Sequence, residues 1–189
     1  MIISKAQHRI PARSESNGFI HTLILKLALY SLIFAFFTGV SSKIRFFLPF
    51  TPVPITGQVF MVLLSGIILG PEFGSLSQML YVFLGISGIP WFTLGSLFGP
   101  TGGYLIGFVV APYIVGIINK KGIFNLVVAL IAGVSVIYLF GALQFSLIMG
   151  TGFIKTIKLA VLPFIPFDIL KSQLIILTVP LYKTIVKQV

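Results

Sequence analysis

The chain has 189 residues, 57% of them hydrophobic and 8% charged, with a mean hydropathy of +1.12; a soluble domain with about 25% charged residues is excluded, and one membrane domain is expected. Zero cysteines exclude disulfides, thiolate metal sites and cysteine nucleophiles. The net charge of +10 sits at the ends of apolar runs and forms no basic patch interleaved with aromatics, which argues against nucleic acid.

In chain order, residues 1–18 read as a polar cytoplasmic tail, and residues 19–189 as one membrane domain of six helices. The first helix covers about 19–40, interrupted only by Lys26, which snorkels. The second, about 55–69, ends at Gly70-Pro71-Glu72-Phe73-Gly74, a tight turn by composition. The third covers about 75–86. Both are short for a bilayer core of ~30 Å, so their flanking loops are expected to dip inward under cover of protein. The fourth covers about 102–118, the fifth 123–149 and the sixth 164–186. The expected class is therefore all-α, a polytopic membrane protein.

Orientation follows from the cations. With the N-terminus inside, the inner segments hold Lys5, Arg9, Arg13, Lys120, Lys121, Lys183 and Lys187, and the outer loops hold Lys43, Arg45, Lys155 and Lys158. That excess predicts both termini on the cytoplasmic side. The long connections 41–54, 85–101 and 150–163 then all lie outside.

The polar residues in these apolar runs are the candidate site. Of only three carboxylates, Glu15, Glu72 and Asp168, the last lies inside a hydrophobic helix, three residues before Lys171. A charge in hydrocarbon costs between ~2.5 and ~10 kcal/mol, and a partner one turn away offsets part of that cost. The pair is read as a ligand or ion site, with a structural ion pair as the alternative. Thr56 and Gln58 follow Pro52 and Pro54 at the entry to the second helix, as uncharged hydrogen-bonding groups at a pocket mouth or as a rigid helix start. Tyr81, Trp91, Phe92 and Tyr104 surround the second outer loop, as an aromatic pocket wall or as an interfacial belt, and Ser87 in that loop is a further candidate for the substrate site. Gly95, Gly99, Gly103 and Gly107 recur at four-residue spacing, as do Gly66 and Gly70, which fits close helix packing. Ser31, Ala35 and Gly39 repeat it in the first helix, for packing within the chain or for docking a partner membrane protein.

Several functions are weak on residues alone. His8 and His21 lie in the tail and at the start of the first helix, and no nucleophile–base set, metal cluster or cofactor motif occurs, so an enzyme is not expected. No glycine–lysine–hydroxyl nucleotide signature is present. An ion-coupled secondary transporter using Asp168 as a relay is the less favoured alternative, since one membrane acid and no internal repeat are seen.

The segments Pro54-Ile55-Thr56-Gly57-Gln58, Leu69-Gly70-Pro71, Tyr81 through Gly88-Ile89-Pro90, Gly99-Pro100-Thr101-Gly102-Gly103-Tyr104-Leu105-Ile106-Gly107 and Pro166-Phe167-Asp168-Ile169-Leu170-Lys171 closely resemble the BioY family. These are biotin-specific S-components of energy-coupling factor (ECF) vitamin transporters. The resemblance, over about residues 26–182, implies a six-helix fold, biotin as ligand and capture from outside. It also implies a transmembrane coupling subunit and two cytoplasmic ATPase subunits as partners in the cell membrane. Within that resemblance Asp168 and Lys171 contact biotin. The first helix meets the coupling subunit, although the usual pattern there is alanine-based, whereas this chain has Ser31, Ala35 and Gly39. An S-component for another vitamin is the alternative within this architecture.

Overall fold

The computed structural model describes residues 13–91, 97–120 and 122–186. The chain runs α1 (Arg13–Ser41), β1 (Arg45–Phe46), β2 (Ile55–Thr56), α2 (Gln58–Ile86), α3 (Gly102–Ile118), α4 (Ile123–Met149), α5 (Phe153–Ala160) and α6 (Ile165–Val186). It is an all-α membrane protein, and all six segments expected to be helical are helical. The differences lie at their edges and in the loops.

α1 begins at Arg13, ahead of the apolar run. Hydrophobicity marks the part of a helix that needs lipid, and backbone hydrogen bonding can continue beyond it into polar sequence. The second and third predicted helices form the two arms of α2. They are joined at Gly70, whose φ of 81° and ψ of −176° break the helix. This backbone region is essentially open to glycine alone.

The break reverses the chain. Gln58 hydrogen-bonds Tyr81, 23 residues on, and Gly74 packs onto Gly66. The expected five-residue turn is therefore a one-residue turn. Pro71 opens the second arm, where its missing N–H is not needed, and Gly74 serves packing. As one helix α2 has the length of a membrane span, but the reversal leaves arms 58–69 and 71–86 of about 18 and 24 Å.

Two loop elements were not anticipated. β1 and β2 pair antiparallel, with Arg45 opposite Thr56 and Phe46 opposite Ile55. The β-branched Ile55 and Thr56 extend where a helix start was expected, so the helix begins at Gln58. α5 occupies the connection 150–163; its eight residues are too few to stand out as an apolar run of membrane-spanning length, about 20. It meets α6 at a bend of 49°.

Packing explains the glycine spacing. Gly66 in the first arm lies against Pro112 of α3, where an added Cβ would stand 2.5 Å from the carbonyl oxygen and 2.8 Å from Cα. Gly103 and Gly107 let α3 reach the α4 backbone at Phe140 and Ile137. Small residues at such crossings are how apolar helices associate without a solvent-driven force. Large apolar side chains such as Leu25, Phe124, Leu147 and Leu177 remain exposed. In lipid this exposure carries no hydrophobic penalty.

Candidate functional site

The alternation of helices brings the start of α2, the end of its second arm, the start of α3, the far half of α4 and the start of α6 to one end of the bundle. A pocket opens there, lined by residues of β2, α2, α3, α4 and α6, with about 660 Å³ of space including its mouth. The walls are mostly apolar, from Val53, Ile55, Val59, Leu105, Phe108, Ile137 and Phe164. Polar groups gather at two places.

The first is built on α6. Asp168 is 4% exposed, in the first turn of the helix. Its Oδ1 accepts a hydrogen bond from Lys171 Nζ at 2.7 Å, and its Oδ2 accepts one from the Tyr138 hydroxyl at 2.6 Å. An isolated carboxylate here would cost several kcal/mol of desolvation. Two charge-assisted bonds of ~1.5–3 kcal/mol each offset much of it. The arrangement places a fixed anionic acceptor beside an ammonium that has further protons to donate.

The second polar group lies on α2 and β2. The Thr56 hydroxyl donates to Gln58 Oε1 at 3.0 Å, and Gln58 Nε2 donates to the Tyr81 hydroxyl at 2.6 Å. Gln58 is 5% exposed, so this chain fixes an amide that lipid would not tolerate alone. Tyr104 joins the walls: its hydroxyl donates to the Ala160 carbonyl, and its ring meets Phe164 edge-on at 6.4 Å. Thus α5 and the turn after it are tied down over the site.

Of the candidate residues, Asp168, Lys171, Gln58, Thr56 and Tyr104 converge on the pocket. Trp91 does not line it. Its indole stacks on the far side of Tyr81, at 5.9 Å between centroids and 16° between planes, and rests on Gly39 of α1. It therefore backs the wall instead of forming it. Ser87 is exposed and donates to its own helix at Phe83 O, away from the pocket. Phe92 lies outside the described residues.

The small-residue stripe on α1, read as packing within the chain or as a docking face, packs within the chain here. Ser31, Ala35 and Gly39 face inward: Ser31 and Ala35 are fully buried, the Ser31 hydroxyl donates to Phe73 O in the second arm of α2, and Gly39 seats Trp91. Small residues mark wherever a helix is closely approached, and here the approach is within the chain. The outward face carries Leu29, Leu32, Ile33, Phe36 and Phe37.

Tyr138 and Thr101 were missed. Tyr138 had a signal: a hydroxyl near the middle of an apolar 27-residue helix needs an acceptor, and water is not available there.

The pattern of the BioY family matches residues 13–188. The probable biotin transporter BioY of Pyrococcus horikoshii is 40% identical, over 74% of this chain and 85% of that protein. The biotin transporter BioY of Thermotoga maritima is 37% identical, over 66% of this chain and 77% of that one. Among solved structures, the S-component for biotin from an ECF-type ABC transporter superposes with a TM-score of 0.77 at 26% identity. That match covers 86% of this chain and 93% of the other.

Proposed function

The chain belongs to the BioY family, and from that premise we propose that it captures biotin at the outer face of the cytoplasmic membrane. It acts as the substrate-binding subunit of an ECF-type transporter, with both termini inside. The observation that carries the reading is the Tyr138–Asp168–Lys171 group, built on a buried carboxylate in a largely apolar pocket. Biotin presents a rigid ureido edge with N–H donors and a carbonyl acceptor, attached to an apolar bicycle. Asp168 accepts a ureido N–H, Lys171 donates to the ureido oxygen, and the apolar walls take the bicycle.

Release to the inside needs energy, and the sequence carries no nucleotide-binding signature. A transmembrane coupling subunit and two cytoplasmic ATPase subunits supply it in this reading. The chain itself catalyses no reaction.

Titration of the purified protein with biotin, and with other vitamins as competitors, tests the assignment. Saturable biotin binding supports it, and binding of another vitamin with biotin ignored overturns it. Lys171→Ala is expected to weaken biotin and its neutral amide alike, by one to two decades, because the ureido ring is common to both ligands. A loss confined to biotin would instead put the ammonium on the carboxylate. Tyr138→Phe removes one bond that orients Asp168 and is expected to weaken biotin about tenfold, read by the same titration.

A further inference from the structure

If Asp168 and Lys171 serve the ureido ring, the ligand's carboxylate still needs a cation. Lys171 is the single cation among the lining residues, and Asp168 already neutralises it at 2.7 Å. The described pocket therefore has no net charge to offer an anion. The loop above it does.

Arg45 in β1 is the register partner of Thr56 in β2. Directly opposed residues of an antiparallel pair leave the ladder on the same face, with Cβ atoms about 4.5–5.5 Å apart. The Thr56 side chain is directed to the pocket, since its hydroxyl bonds the lining residue Gln58. Arg45 thus departs towards the mouth, on a side chain long enough to reach past Thr56.

Its guanidinium is exposed and lies 5.9 Å from the centre of the Phe47 ring, with no carboxylate engaging it among the described residues. A planar fork of donors suits a carboxylate better than an ammonium does. The neighbouring cation, Lys43, is held by the Pro90 carbonyl instead.

We propose that Arg45 is the carboxylate-recognising residue of the site, swinging from Phe47 to clamp the acid end of the ligand at the pocket mouth. This rests on the biotin reading. It adds a specificity element, discrimination of the acid from its neutral derivatives, carried by the β1–β2 hairpin. Arg45→Gln removes the charge at an exposed position.

The test measures equilibrium binding of biotin and biotinamide to the full chain, Arg45→Gln and Lys43→Gln. Arg45→Gln is expected to weaken biotin about five- to tenfold and leave biotinamide within twofold, collapsing the preference for the acid. Lys43→Gln is expected to keep that preference. Equal losses for both ligands, no loss for either, the same collapse in Lys43→Gln, or no preference in the unmodified protein would each overturn the role of Arg45 while leaving biotin capture intact. Failure of the unmodified protein to bind either ligand would instead sink the biotin reading, and this inference with it.

Discussion

Asp168→Ala is expected to lower biotin affinity by at least two orders of magnitude and to destabilise the protein at the same time. The first effect follows from loss of the anionic acceptor, a charge-assisted bond of ~1.5–3 kcal/mol, together with disorder in the groups it holds. The second arises because Lys171 is only 15% exposed in its side chain and has Asp168 as its ion-pair partner. Removing one member of a buried pair leaves an uncompensated charge, at about 3–5 kcal/mol. The Tyr138 hydroxyl loses its acceptor too.

The two effects separate in the double variant Asp168→Ala/Lys171→Ala. Stability is expected to recover much of its loss, since no buried charge remains unpaired, whereas binding stays at least two orders of magnitude weaker. Thermal unfolding in detergent beside ligand titration reads both. Full affinity in Asp168→Ala would remove the carboxylate from the site. A double variant no more stable than the single one would mean that lost packing, and not the orphaned ammonium, sets the stability cost.

Much of this site was legible because lipid makes polar residues expensive. Asp168 and Lys171 stand out in an apolar helix, and Gln58 follows a proline-rich entry, so each announces a need for a partner. The helices 102–118 and 123–149 were read to the residue, because apolar runs bounded by glycine and polar links leave little choice of ends.

Residues whose type fits two environments were not legible. Trp91 suits a pocket wall and a supporting layer equally, and only the position of Tyr81 decides between them. Ser31, Ala35 and Gly39 mark a close approach without saying to what, and the partner proved to be the second arm of α2 with Trp91. Tyr138 did not stand out because its ring suits an apolar run and only its hydroxyl asks for a partner. The β1–β2 pairing was hidden by its brevity: two residues per strand carry no periodicity. That pairing nevertheless sets where Arg45 stands relative to the mouth.

The fold itself makes the other large prediction. Gly66→Ala is expected to destabilise the protein by about 1–3 kcal/mol, the usual cost of overpacking, and Gly66→Leu to prevent folding. Three backbones meet at this position: the first arm of α2, its second arm at Gly74 and α3 at Pro112. A methyl group there meets main-chain atoms, 2.5 and 2.8 Å away on Pro112, and a helix backbone cannot rotate aside as a side chain can. Relief requires α2 and α3 to separate, which also loosens Gly116 against Pro71 at the hairpin turn.

Gly133→Ala is the comparison that isolates this cause. Its added Cβ would crowd Leu63 Cδ2 and Val115 Cγ2, both at 2.6 Å, but these are side-chain methyls and not main chain; Leu63 can change rotamer, and the stiffer Val115 can give by a small shift. Thermal unfolding of the two variants in the same detergent should place Gly66→Ala clearly below Gly133→Ala. Equal stabilities would show that the α2–α3 contact yields as easily as a side chain does. The hairpin reversal would then rest on Gly70 alone, whose φ of 81° with no atom near its missing Cβ makes it the purely conformational element of the turn.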